Sequence, residues 1–246
     1  MKTYGLIGYP LTHSFSKKYF TEKFAFEGLT DHVYENFPLT SIEEVVQVFI
    51  NNPSLIGLNI TIPYKEKIVT YLDESTEVVR ETGACNCIKI IGGKKVGYNT
   101  DVIGFGISLD AKLQSTHQKA LILGTGGAAK AVAYALKQRS ISYLFVSRNP
   151  NGKDVIGYDQ IDHSILGEYT LIINTTPIGM YPNVDQAPAI PYQLLGADHY
   201  LFDLVYNPVK TLFLQKGEQA GAVIENGAAM LKIQADASWE IWNSND

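Results

Sequence analysis

Residues Gly124, Gly126 and Ala129 fit the spacing G-x-G-x-x-[G/A], a pattern that points to a phosphate ligand when a strand precedes it and a helix follows. The first glycine permits a tight turn and the second lets the backbone approach a pyrophosphate. The small third residue lets the helix pack close to the strand. An ordinary glycine-rich turn has the same spacing, so the context decides. Residues 120–123 are an apolar run of strand length, Ala128, Val132, Ala135 and Leu136 then recur at helical spacing, and 141–146 is a second apolar run. Strand, glycine turn, helix and strand make the βαβ unit that holds a dinucleotide. Thr125, Gly127 and Ala128 complete the turn and the helix start, where unpaired N–H groups and the dipole favour phosphate. An NAD site places an acid on the ribose hydroxyls some way after the glycines; this chain has Ser147-Arg148-Asn149 there, and an arginine suits a 2′-phosphate. The expected cofactor is NADP. Asn174-Thr175-Thr176 ends a further apolar run, at the kind of strand end where open α/β sheets bind ligands.

The elements that must position these groups alternate between α and β. At 246 residues and 46% hydrophobic, the chain has core enough for one large domain or two modest ones. A net charge of −5 without a basic block argues against a nucleic-acid surface. The Met-Lys-Thr start runs directly into a strand-like pattern, and no apolar stretch has the length to cross a bilayer. Strands are expected at 4–8, 33–37, 55–62, 171–174, 201–205 and 222–224, with a hairpin of 84–91 and 95–98 through Gly92-Gly93. Helices are expected up to Gly28, over 42–49, 65–72, 102–113 and 209–220, and over 228–242. Cys85 and Cys87, two apart in an expected strand, should face the same way as buried thiols. That is poor disulfide geometry, two thiols cannot complete a zinc site, and a reducing cytoplasm fits them best. The expected division is a first α/β domain over 1–101, a Rossmann-like dinucleotide domain over 102–225, and a last helix, 226–246, returning to the first domain.

Several further motifs, in order along nearly the whole chain, resemble the shikimate dehydrogenase family. They are Gly8-Tyr9-Pro10 with His13-Ser14-Phe15-Ser16, Asn59-Ile60-Thr61-Ile62-Pro63-Tyr64-Lys65, Gly83-Ala84-Cys85-Asn86 and Asn99-Thr100-Asp101. After the glycine turn come Asn174-Thr175-Thr176-Pro177-Ile178-Gly179-Met180, Asp203-Leu204-Val205-Tyr206, and Gly227 with Met230-Leu231 and Gln234. The resemblance implies an NADP-linked reduction of 3-dehydroshikimate to shikimate, on the way to chorismate and the aromatic amino acids. It also implies an N-terminal substrate domain beside the Rossmann-like NADP domain. Two positions depart from the family pattern: Lys17 stands where a proline usually follows the second serine, and Gly152, with Lys153 one place later, where a second basic residue often stands.

By the same resemblance Lys65 and Asp101 are catalytic, Ser14 and Ser16 take the substrate carboxylate, and Asn59, Thr61, Asn86, Tyr206 and Gln234 take the rest of the substrate. Gly124 to Ala128, Ser147, Arg148, Asn174, Thr175, Thr176 and Gly227 go to the cofactor. Each has a plainer rival. Most lysines are solvated surface charges, and Asp101, Ser14 and Ser16 are all good helix caps. The four amide and hydroxyl residues could satisfy strand or helix ends, and Tyr206 could fill an edge. His13 has no catalytic role by resemblance. The partners expected are a small-molecule substrate, shikimate or 3-dehydroshikimate, with no nucleic acid and no membrane, and the chain a monomer or homodimer. The competing readings are a quinate/shikimate dehydrogenase using NAD, a folate-linked dehydrogenase of similar build, and a protein that senses NADP(H) without turnover.

Overall fold

The computed structural model describes residues 1–11 and 14–244 of the chain. Two compact units divide it, Met1–Thr100 with Ala235–Asp246, and Asp101–Gln234.

The first unit is built on a six-stranded mixed sheet. Its strands are β1 (Lys2–Gly8), β2 (His32–Pro38), β3 (Leu55–Ile60), β4 (Glu74–Ser75), β5 (Cys87–Ile91) and β6 (Lys94–Tyr98), in the order β2-β1-β3-β5-β6-β4. β1 lies parallel to both β2 and β3, while β5 is antiparallel to β3 and β6. Gly92 and Gly93, with φ of +55° and +84°, make the two-residue β5–β6 turn that only a left-handed backbone closes. Helices α1 (Phe15–Phe26), α2 (Val45–Asn51) and α3 (Glu77–Thr82) complete the connections. Adjacent residues of a strand enter opposite cores. Ile7, Leu58, Ile60 and Ile88 join Val45 and Val48 of α2 on one face, and Tyr4, Leu6 and Tyr34 join Phe20 and Phe24 of α1 on the other.

The second unit has a six-stranded parallel sheet flanked by helices. It runs α4 (Asp101–Asp110), β7 (Lys119–Leu123), α5 (Gly127–Gln138), β8 (Ser142–Ser147), β9 (Val155–Gly157), α6 (His163–Glu168), β10 (Leu171–Asn174), β11 (Tyr200–Asp203), α7 (Leu212–Gln219) and β12 (Val223–Glu225). The sheet order is β12-β11-β10-β7-β8-β9, which reverses between β7 and β10 and is the doubly wound order of a dinucleotide domain. Ala120 and Ile122 face a core with Val132 and Leu136 of α5, and Leu121 and Leu123 face one with Leu166 of α6 and Phe213 and Leu214 of α7. Burial on both faces is why these strands read as unbroken apolar runs.

The last helix, α8 (Ala228–Asn243), is divided at Gln234: Met230 packs in the second unit, while Ala235, Trp239 and Trp242 join the aromatic core of the first.

Several elements differ from expectation. The expected helix over 65–72 is only a 3-10 turn, Lys67–Tyr71, because Ile68, Val69 and Thr70 are three successive β-branched residues that crowd an α-helix. The strand expected to reach residue 62 stops at Ile60. The helix expected at 42–49 begins as a 3-10 turn, Ile42–Glu44, with the Glu44 carboxylate accepting from the Ser41 N–H at 3.1 Å. β4, α3, β9 and α6 carried no periodicity long enough to register. Cys85 and Cys87 are free and buried as expected, but they enter opposite cores, since Cys85 lies in the turn before β5 where the two-residue alternation of a strand does not yet hold.

Gly57 of β3 is where α8 closes on the first sheet. A Cβ there would overlap the Trp242 indole, with Cε2 at 2.5 Å, and the indole N–H donates to the Ile88 carbonyl at 2.9 Å. Gly57→Ala is therefore expected to cost about 1–3 kcal/mol through overpacking. Urea unfolding followed by tryptophan fluorescence reads this directly, because both tryptophans of the chain sit in that core. An unchanged midpoint would show that the indole gives way.

Candidate active site

In the second unit the site is built from backbone. Gly124 leaves β7 with φ +111°, and a Cβ there would meet Thr175 Oγ1 at 2.7 Å, so both conformation and space require glycine. Gly126 caps α5 without any side-chain cap, and a Cβ on it would find open space. Thr125 and Gly126 are exposed, Gly127 and Ala128 half-buried, and Ala129 is buried in the core, the small third residue the close packing needs. The first N–H groups of a helix have no partner within it. A bare turn opening on such a helix start fits the pyrophosphate of a dinucleotide.

The end of β10, on the other side of the sheet reversal, is held against that turn. Thr175 donates from its N–H and its hydroxyl to the Leu123 carbonyl, at 3.0 and 2.6 Å. The Asn174 amide serves its own loop, with Oδ1 accepting from Thr176 N and Oγ1 and Nδ2 donating to the buried Asp203 carboxylate at 3.0 Å. Asp203 also accepts from Val205 N at 3.0 Å and Thr211 Oγ1 at 2.5 Å. Its burial pushes the carboxyl up to about 6, against the pull of those three donors. Sequence reasoning quoted Asp203 within a motif and gave it no role. Ser147 ends β8, and Arg148 follows it as an exposed cation, felt by the Tyr158 phenol. Gly227 has a packing reason of its own: a Cβ would lie 2.7 Å from the Leu204 carbonyl carbon, in the segment that leads to half-buried Tyr206. Asp101, 2% exposed, is the first residue of α4 and so stands inside the helix, where the dipole favours a carboxylate. Gln234 lies on α8 with its Cβ against Gly104 of α4.

In the first unit the site is built from side chains. Ser14 caps α1, its hydroxyl accepting from Lys17 N at 3.3 Å, which leaves its own proton available to an anion. Capping and carboxylate binding are compatible here. Ser16 is half-buried in the first turn of α1. The segment also carries cations, Lys17 and Lys18; Lys17 is held by Glu35 at 2.7 Å. His13 lies outside the described residues. Asn59 is the next-to-last residue of β3, and Thr61 follows the strand with its N–H donating to the Ile7 carbonyl. Lys65 is half-buried, and its carbonyl accepts from Cys85 N at 2.8 Å, which ties the Lys65 and Asn86 segments together. Asn86 is 1% exposed, its Oδ1 accepting from Thr100 N at 2.6 Å and its Nδ2 donating to Thr100 Oγ1 at 3.0 Å. The structure thus brings Asn59, Thr61, Lys65 and Asn86 to neighbouring chain segments at one end of the sheet.

A doubly wound sheet with a bare glycine turn at its reversal, together with a separate mixed sheet ending in buried amides and a lysine, defines a two-domain α/β protein with a dinucleotide-binding domain. Among the described residues no helix is long and apolar enough to cross a membrane. Residues 6–88 match the family description "Shikimate dehydrogenase substrate binding domain". A shikimate dehydrogenase (NADP(+)) of Carboxydothermus hydrogenoformans is 36% identical over 258 residues, covering 98% of this chain and 91% of that protein. Among solved structures, the shikimate dehydrogenase of Aquifex aeolicus superposes with a TM-score of 0.88 at 30% identity, over 99% of this chain and 92% of that one. The Thermus thermophilus shikimate 5-dehydrogenase, in complex with NADP(H) and shikimate, superposes with a TM-score of 0.86 at 28% identity, over 99% and 94%. The chain belongs to the shikimate dehydrogenase family.

Asp203 gives the dinucleotide unit a pH signature. As pH rises from the ordinary value of 3.8 the unfolded carboxyl ionises first, while the folded one keeps its proton until about 6. Unfolding therefore releases a proton across that window, and the fold loses about 3 kcal/mol from this group as pH rises through it. Asp203→Asn has no such term. The difference in unfolding free energy, wild type minus Asp203→Asn, should fall by about that amount between pH ~4 and pH ~7 in urea titrations. A difference that is flat with pH would show that the three donors hold the carboxylate ionised.

Proposed function

We propose that this chain is an NADP-dependent shikimate dehydrogenase that reduces 3-dehydroshikimate to shikimate, in the supply of chorismate for aromatic amino acids. The observation that carries this reading is the glycine turn at the sheet reversal, joined in one chain to a substrate domain of this family. Two buried, free thiols suit a reducing, cytoplasmic setting.

NADP(H), when bound, supplies or takes up a hydride. The remaining work falls to the chain. The bare start of α5 receives phosphates, and Arg148 is the residue for a 2′-phosphate, since a guanidinium meets two phosphate oxygens with paired, directional donors. Ser14 and Ser16 take the substrate carboxylate through hydroxyl protons. Asn59, Thr61, Asn86, Tyr206 and Gln234 hold ring hydroxyls. Reducing a ketone leaves a developing alkoxide, which needs a proton and a positive neighbour at the same moment. Lys65 is assigned both tasks at that oxygen, with Asp101 as the carboxylate that orients the ammonium and relays its proton. In the oxidative direction Lys65 takes the hydroxyl proton instead.

Loss of NADPH absorbance on adding 3-dehydroshikimate tests the reading, with NADH and with quinate plus NAD as the competing pairs. Binding of NADPH without turnover would favour a sensor. Lys65→Ala is expected to lower kcat by about 10²–10⁴-fold with NADPH affinity nearly intact, and Asp101→Ala to lower it as well. Because the two act as a unit, the double variant should be little worse than the poorer single; multiplicative losses would separate them. Arg148→Ala should weaken NADP binding by about 10-fold or more while leaving NAD binding little changed. An equal loss for both cofactors would make Arg148 structural.

A further inference from the structure

The side-chain amide of Asn59 is held from three sides. Tyr34, on β2, reaches past β1 and donates its hydroxyl to Asn59 Oδ1 at 2.8 Å. Asn59 Nδ2 donates to Ser238 Oγ of α8 at 2.9 Å and to the Asn86 carbonyl at 3.4 Å. That carbonyl can only accept, so it must face the NH2 end, and the amide cannot be turned over. Ser238 Oγ in turn pairs with Thr100 Oγ1 at 3.2 Å. Tyr34 is 3% exposed and Ser238 fully buried, so neither of these bonds competes with bulk water. The Ser16 side chain is also a hydrogen-bonding neighbour of the Tyr34 phenol, so the same hydroxyl touches two residues assigned to the substrate.

An amide has two N–H donors and an oxygen with two lone pairs. Both N–H groups of Asn59 are committed to protein oxygens, and one lone pair is taken by Tyr34. What remains for a ligand is one acceptor site on Oδ1. We propose that Tyr34 and Ser238 are positioning residues that lock Asn59 in this orientation, so that Asn59 reads one ring hydroxyl of the substrate as a hydrogen-bond donor. A carbonyl, an ether or a carboxylate offered at the same place has no proton to give and is refused. This rests on the reading above that Asn59 serves the substrate, and it adds what neither the motif nor the family description carries: the polarity of that contact and the two residues that set it. Tyr34 lies outside every motif of the sequence, and Ser238 is on a helix face where serine has no signature.

The test uses the whole enzyme with Tyr34→Phe, Ser238→Ala and Asn59→Ala, and shikimate with its 4-deoxy and 5-deoxy analogues. Tyr34→Phe removes one oxygen and keeps the ring. Each positioning variant should raise the KM for shikimate by about 5–10-fold, with kcat and the KM for NADP within about twofold. With the one analogue that lacks the hydroxyl read by Asn59 the penalty should disappear, and with the other it should persist. A merely structural role would move all three substrates and the NADP KM together, and that result overturns the proposal. So does an unchanged shikimate KM in both positioning variants when Asn59→Ala raises it. If Asn59→Ala itself leaves the shikimate KM unchanged, the placement of Asn59 in the substrate site falls, and the proposal falls with it.

Discussion

The fit of the Trp242 indole over the bare backbone of Gly57 is the interaction on which the substrate unit depends. Its N–H reaches the Ile88 carbonyl, so one side chain bridges the centre of β3 and the neighbouring β5. Four residues earlier on the same helix face stands Ser238, which the indole thereby sets in register with Asn59 and Thr100. Two more ties hold the helix, Tyr19 to Asp236 near its middle and Lys89 to Ser244 at its end, the latter at 2.7 Å. Aromatic packing around Tyr4, Phe20 and Phe24 supplies the bulk of the burial. Polar precision in this unit is therefore inherited from an apolar contact made elsewhere along the helix.

The dinucleotide unit reaches precision by another route. The groups its glycine turn presents are mostly main chain, and what the neighbouring side chains do is fix main chain. Thr175 pins the strand end after β10 to Leu123, Asn174 ties Thr176 to Asp203, and Asp203 gathers Val205 and Thr211. The order reversal between β7 and β10 sends the connections to opposite faces and leaves a crevice at the strand ends. A buried carboxylate near that crevice is costly to ionise, and it ties two segments together, the end of β10 and the β11–α7 connection.

Much of this was legible in the sequence, and the reasons differ by residue. The glycine turn was readable because Gly124, with φ +111°, meets a steric requirement that no other residue meets as well, and Gly126 keeps the motif's spacing, in a context of unbroken apolar strands. Strand 171–174 was read to the residue, since it is buried on both faces. The short elements were not, because α6 is six residues long and β9 only three, too few for any period to show. Cys85 was assigned to a strand that begins only at Cys87, which reversed its face. In the site, Asn59, Asn86 and Lys65 came from motif resemblance, which carries identity without geometry. Tyr34 and Ser238 could not be found that way: one tyrosine and one serine, 25 and 179 positions from Asn59, become partners only once the sheet and the last helix have closed.

The divided path of the chain also imposes an order of assembly. The first sheet leaves the ribosome early, yet the aromatic face formed by Tyr4, Phe20 and Phe24 gains its cover only when Ala235, Trp239 and Trp242 emerge. Between them the whole dinucleotide unit must be synthesised, which at ordinary translation speeds takes roughly ten seconds. For that interval the nascent first unit carries an uncovered aromatic surface and a Gly57 groove with nothing in it. Exposed apolar surface of that kind is prone to aggregation, while the second unit, continuous from Asp101 to Gln234, can fold as it is made.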